Sequence, residues 1–105
     1  MTTDQLSTRI TIQDSTQCVH CSGELTAFAG SALEACCQEL LAVPECRAVV
    51  FDLSGLTYVN TAGIALFVAA LNRLRRQKTV TAVGLSAHHQ HLFRAVGLQQ
   101  VLTTR

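Results

Sequence analysis

Charge is what this 105-residue sequence has least of: 14% of its residues are charged, eight basic against seven acidic, for a net +1. Globular chains average about 25%. A protein held to nucleic acid through phosphate contacts carries a clear basic excess, so no nucleic-acid partner is expected. Sparse charge beside 49% hydrophobic residues also excludes an intrinsically disordered chain, which pairs low hydrophobicity with high net charge. Long apolar runs are missing as well. The longest, Ala62 to Leu71, has 10 residues, about half of what a membrane span needs, so no direct membrane insertion is expected. The opening residues, MTTDQLSTR, hold no apolar signal segment, and a cytoplasmic address is the expectation.

Catalytic signatures are lacking too. The sequence has no G-x-S-x-G, no G-x-x-x-x-G-K and no carboxylate pair arranged for glycoside chemistry. The expectation is a protein that is not an enzyme and takes no cofactor. No repeat or linker interrupts the chain, and at about 150 residues per domain it makes a single domain, 1–105, with residues 1–8 loose.

Five cysteines, an odd number, with no secretory signal point to free thiols. Cys18-x-x-Cys21 around His20 suggests a metal, but a zinc site takes about four ligands. In a strand, Cys18 and Cys21 point to opposite faces; strand cysteines are the simpler reading. His88, His89 and His91 open a helix without a carboxylate or thiol in evident reach, and no metal is expected there. The basic run Arg73 to Lys78 reads as a solvated helix end, where the dipole favours cations.

Periodicity supplies the elements. Residues 9–13 alternate, residues 14–17 read as a turn, and 18–21 make a second strand, closing a hairpin. Gly23 breaks that strand. Thr26 caps a helix whose core face runs through Phe28, Ala32, Ala35/Cys36 and Glu39/Leu40, and Pro44 and Glu45 end it. Residues 47–53 form a continuous apolar run that fits a central strand buried on both faces, and 54–60 a loop with a short extended piece. A second helix runs from Thr61 to about Arg76. Ile64, Phe67, Val68, Leu71 and Leu74 fall on its inner face, and Ala62, Leu66, Ala69, Arg73 and Arg76 on the other. Residues 79–85 make a further strand. Ser86 caps a third helix with Leu92, Phe93 and Val96 apolar and Gly97 as its stop, and Val101 and Leu102 lie in a last strand. The order β-β-α-β-α-β-α-β predicts an α/β domain: a mixed, mostly parallel sheet of four to five strands with three helices.

The loop between Asp52 and Gly63 is the place to seek function, because ligand-facing loops of such sheets lie at the carboxyl ends of strands. An N-cap role for Asn60 or Thr61 does not explain Ala62, Leu66 and Ala69, apolar residues on the face turned from the sheet. An exposed apolar strip with a polar rim marks an interaction surface, and Arg73 continues it. Thr61 places a hydroxyl where the dipole stabilises a phosphate; charge there would repel a partner without unfolding the domain.

The stretch VVFDLSGLTYVNTAGIALFVAALNRLRRQ, then GLSAHHQHLFRAVGLQQVL, resembles the STAS domain of bacterial anti-sigma-factor antagonists, and SGEL at 22–25 resembles that family's Gly-Glu-Leu turn. The likeness covers roughly residues 9–104. It implies a STAS-like fold and a switch in transcription regulation by partner switching. A Ser or Thr in an Asp-Ser-Ser/Thr-Gly-type motif is phosphorylated by a Ser/Thr kinase that is also the anti-sigma factor; the unmodified domain binds that kinase. Carried onto this sequence, the docking residues are Asn60, Thr61, Ala62, Gly63, Leu66, Ala69 and Arg73, and the phosphorylation candidate is Thr61. Asn60 stands at the motif's aspartate, Ala62 at its second hydroxyl and Thr26 at the aspartate usual after the Gly-Glu-Leu turn. The stretch NTAGIAL is similar, too, to the small STAS subunit of bacterial phospholipid-transport ABC assemblies. There a loop threonine contacts the transport ATPase without needing phosphorylation.

Overall fold

A hairpin begins the structure. In the computed structural model, which describes residues 5–95, β1 (Ser7–Gln13) pairs antiparallel with β2 (Thr16–Leu25). Asp14 and Ser15 turn the chain with φ of 53° and 65°, the left-handed pair a two-residue hairpin needs to match strand twist. Two expected boundaries move. Within the segment 1–8 expected to be loose, Leu6 is buried and β1 starts at Ser7. Thr16 and Gln17 belong to the strand rather than the turn, and Gln17 is buried.

Gly23 does not break β2. It sits inside the strand at φ 92°, between two register shifts in the parallel ladder with β3 (Ala48–Val59). These irregularities also explain why 54–60 reads as a loop in the sequence. Beyond Phe51 the buried residues of β3 are Leu53, Leu56 and Val59. A bulge adds a residue to the ladder and so destroys the period of two. β3 therefore runs seven residues past its pairing with β4 (Thr79–Val83) at Asp52, with Val59 still beside Leu25.

Among the described residues the sheet order is β1-β2-β3-β4, mixed and mostly parallel, with four strands where four to five were expected. Three helices, α1 (Gly30–Leu41), α2 (Thr61–Leu74) and α3 (Ala87–Ala95), bury one core with one face of the sheet. Phe51, Phe67 and Phe93 join β3, α2 and α3 through edge-to-face contacts at centroid distances of 5.2 and 5.8 Å. Cys18, His20, Val50, Asp52, Thr81 and Val83 alternate onto the opposite face and stay half-exposed, so β3 is not buried on both faces as its apolar run predicts. Val96, Gly97 and the expected last strand at Val101 and Leu102 lie outside the described residues. Among the described residues, no helix is long and apolar enough to cross a membrane.

The first helix keeps its expected cap but not its expected face. Thr26 Oγ1 accepts from the Phe28 amide at 3.2 Å, but residues Ala27–Ala29 form a 3-10 turn before α1 begins. At three residues per turn the phase slips. Leu33, Cys36, Cys37 and Leu40 face the core, whereas Ala35 and Glu39 are exposed and Phe28 is 84% exposed. Lys78 also departs from expectation. It is 7% exposed, not solvated, and its Nζ donates to Gln17 Oε1 (2.7 Å), Val43 O (2.8 Å) and Cys46 O (2.7 Å). One ammonium thus ties the starts of β2 and β4 to the turn after α1.

Candidate functional site

The end of β3 delivers the site. Asn60 leaves the strand at φ −129° and caps α2: its Oδ1 accepts from the Gly63 amide at 2.9 Å. The Asn60 amide donates to Leu25 O at 3.1 Å, fixing the cap to the end of β2. Gly63 makes this approach possible. A Cβ on it would sit 2.0 Å from Leu25 O and 2.6 Å from the Thr26 amide nitrogen. The helix start, the end of β2 and the 3-10 turn are therefore one rigid junction.

Thr61 is the first residue of α2 and is exposed, as is Ala62. The first turn holds no acidic residue, so the positive end of the helix dipole is uncompensated there. Leu66 is half-buried, and Ala69 and Arg73 are exposed. Of the seven expected residues, six face outward or partly outward along α2 and its cap; Gly63 is buried and acts through backbone proximity.

Leu66, Ala69 and Arg73 line one wall of a shallow groove of about 190 Å³; Gly30, Leu33, Glu34 and Cys37 of α1 make the other. Arg73 Nη1 donates to Glu34 Oε1 at 2.7 Å, closing the groove at one end. That bond holds the Glu34 carboxyl below the usual carboxylate range. Both side chains are exposed, so solvent screens the pair. At the other end, Leu6, Ala27, Phe28 and Asn60 border a second cavity of about 370 Å³.

Glu34 and Phe28 were not expected at the site. A salt bridge spanning 39 residues leaves no local sequence signal, and Phe28 reads as core until the 3-10 turn is known. Asp52, the start of the loop singled out in the sequence, points elsewhere. It lies on the open face of the sheet, accepts from the Ser54 hydroxyl at 2.7 Å and pairs with His20 Nδ1 at 3.4 Å. The Ser54 bonds, chiefly, lower its pKa. Cys18 and Cys21 do face opposite sides, and all five cysteines are free thiols. His89 takes the Ser86 cap, amide to Oγ at 3.2 Å, while His88 and His91 are exposed.

A family model described as "Mlab, STAS domain" matches residues 8–104. No curated protein sequence matches significantly. Among solved structures, an anti-sigma factor antagonist from Mycobacterium paratuberculosis is similar at 22% identity, over 96% of this chain and 86% of that one, with a TM-score of 0.78. The Bacillus cell fate determinant SpoIIAA in its phosphorylated form is similar at 14% identity, over 94% and 91%, with a TM-score of 0.67. An antisigma-factor antagonist STAS domain from Rhodobacter sphaeroides is similar at 17% identity, over 76% and 87%, with a TM-score of 0.58. At these identities the likeness is one of fold. With the family model spanning nearly all of it, the chain belongs to the STAS domain family of the Mlab type, built on the fold shared with SpoIIAA-like anti-sigma-factor antagonists.

Proposed function

We propose that this protein is an anti-sigma-factor antagonist that docks a partner anti-sigma Ser/Thr kinase through Asn60, Thr61, Ala62, Gly63, Leu66, Ala69 and Arg73, and that phosphate on Thr61 releases that partner. One observation carries the reading: an exposed hydroxyl at the first residue of α2 stands at the head of an uncovered apolar strip. Phosphate at that point gains from the helix dipole. A partner seated over Ala62 and Leu66 would instead have to bury a dianion, which costs several kcal/mol unless it is paired. The modification is therefore expected to act on binding and leave the fold alone. Phe28, whose backbone amide is held by the Thr26 cap and whose ring is 84% exposed beside Asn60, offers an aromatic side chain that a partner could bury.

A second reading has its own support. The family model's Mlab description and Ala62 at the motif's second hydroxyl position favour a constitutive subunit that binds a transport ATPase of a phospholipid-transport assembly through the same face. One experiment separates the two. The protein is incubated with a purified candidate kinase or a candidate transport ATPase, with and without ATP, and the complex and the phosphosites are read together. Phosphate on Thr61 with dissociation of the kinase supports the first reading. A stable ATPase complex with Thr61 unmodified supports the second. Equal kinase capture by wild type and Thr61→Glu refutes the switch.

A further inference from the structure

The hairpin that opens the fold leaves an edge. β1 is the terminal strand of the sheet among the described residues, seven residues long, and its ladder to β2 runs from Ser7↔Ser22 to Gln13↔Thr16 without a bulge. Natural edge strands are usually blunted by proline, lysine, bulges or an inward-pointing charge. Ser7–Gln13, STRITIQ, has no proline and no lysine. Its one charge, Arg9, pairs with His20 on the open face of the sheet and not toward the helices. On the helix side it presents Ile10, half-buried against the core, and Ile12, 56% exposed. Ile12 is a large apolar residue at an edge that no other described strand pairs.

We infer that β1 is a self-association edge, through which two copies of this chain pair antiparallel about a two-fold axis at Thr11 and join their sheets edge to edge. The pattern selects both the occupant and the register. With the helices of both copies on the same side, residues of matching parity must oppose each other. A centre at Arg9 sets guanidinium against guanidinium, and like charges directly opposite destabilise a pair. A centre at Ile10 leaves Ile12 opposite Thr8, and one at Ile12 sets Ile10 against the turn residue Asp14. The centre at Thr11 alone places Ile10 of each copy opposite Ile12 of the other, Thr11 opposite itself and Arg9 opposite Gln13. That pairing covers both isoleucines and satisfies the free backbone groups of residues 9–13. A second copy fits better than a charged partner strand, because the edge offers apolar and hydroxyl groups in a self-complementary order.

The test uses the full chain and does not involve α2, so its outcome is independent of the docking reading above. Sedimentation over about 10 to 500 µM, the range of weak interfaces of small area, is expected to show a reversible dimer. Ile12→Lys is expected to weaken self-association at least tenfold while leaving the thermal midpoint unchanged, since Ile12 is exposed. Thr11→Cys supplies the register readout. Directly opposed residues have Cα atoms about 4.5–5.5 Å apart, within disulfide reach. Two copies of residue 9, or of residue 13, stand four positions apart, about 14 Å. Under mild oxidation Thr11→Cys is expected to form a crosslinked dimer, and Arg9→Cys and Gln13→Cys are not. A monomer at every concentration, a dimer insensitive to Ile12→Lys, or crosslinking at position 9 or 13 rather than 11 overturns the inference.

Discussion

The two glycines that flank the docking groove are expected to respond to alanine in opposite directions. At Gly63 the added methyl would stand 2.0 Å from Leu25 O, 2.3 Å from Leu25 C and 2.6 Å from Thr26 N, where ordinary contact begins at 3.4 Å. The helix start must therefore back off by about 1.4 Å from a backbone that cannot give way. Overpacking of this kind costs about 1–3 kcal/mol. The shift also strains the bond from the Asn60 amide to Leu25 O, worth about 1 kcal/mol. Ala gains about 1 kcal/mol over Gly in a helix interior, which leaves a net loss of about 1–3 kcal/mol. For a domain of this size that lowers the thermal midpoint by about 5–15 °C. Gly30 has φ −55° and ψ −47°, and its methyl would meet nothing nearer than Leu66 Cδ1 at 4.0 Å. Gly30→Ala is therefore expected to stabilise by about 0.4–1 kcal/mol, through the unfolded chain. Thermal unfolding followed by circular dichroism of both variants decides it. A Gly63→Ala midpoint at or above wild type would refute the close junction on which the placement of Thr61 rests.

Leu66→Asp is expected to weaken partner binding at least tenfold in a pull-down or calorimetric titration; its fold cost stays near 1 kcal/mol because Leu66 is half-buried, and equal binding would exclude the groove as the docking face. Lys78→Met keeps the apolar stem but strands Gln17 Oε1 and two carbonyls, so a loss of about 2–4 kcal/mol is expected in urea unfolding, at about 1–3 kcal/mol per unsatisfied buried group and with partial relief from water. Burial pushes the Cys21 thiol up to about 12 and the Cys36 thiol up to about 11, from 9.0. The unfolded chain releases these protons first, so stability is full below pH 9 and falls as pH rises toward 12. Cys21 contributes about 4 kcal/mol of that fall, and urea midpoints should flatten with pH in Cys21→Ala.

The sequence revealed what depends on local pattern. The alternation of 9–13 sets Ile10 and Ile12 on one side of β1, the apolar run of 47–53 marks an inner strand, and the 3.6-residue stripe of α2 buries one helix face, so local pattern alone carries them. The docking residues were legible for the same reason: Ala62, Leu66 and Ala69 stand a helical turn apart opposite Ile64, Phe67 and Leu71. What depends on two segments meeting stayed hidden. The bulges opposite β2 stretched β3 across Ser54-Gly55, a pair that reads as a turn. Lys78 joined a basic run in sequence, yet its partners are 32 to 61 residues away. Phe28 was misplaced because one 3-10 turn shifts the phase of a helix from its first residue.

Placed together, these details indicate how the α2 start can carry a change of charge. The Asn60 side chain is committed to the Gly63 amide and its own amide to Leu25 O, so the cap does not rely on Thr61. A charge added at Thr61 would meet an uncompensated helix N-terminus, worth about 0.3–1 kcal/mol in favour of the folded domain. Against a partner it would sit beside Ala62 and Leu66, where an unpaired anion is costly to bury. The two terms have opposite signs and act on different equilibria. Thr61→Glu should therefore hold or raise the thermal midpoint in the same protein sample in which it lowers partner affinity. If instead the midpoint falls in step with affinity, the loss of binding is a loss of fold, and Thr61 is a structural position and not a switch.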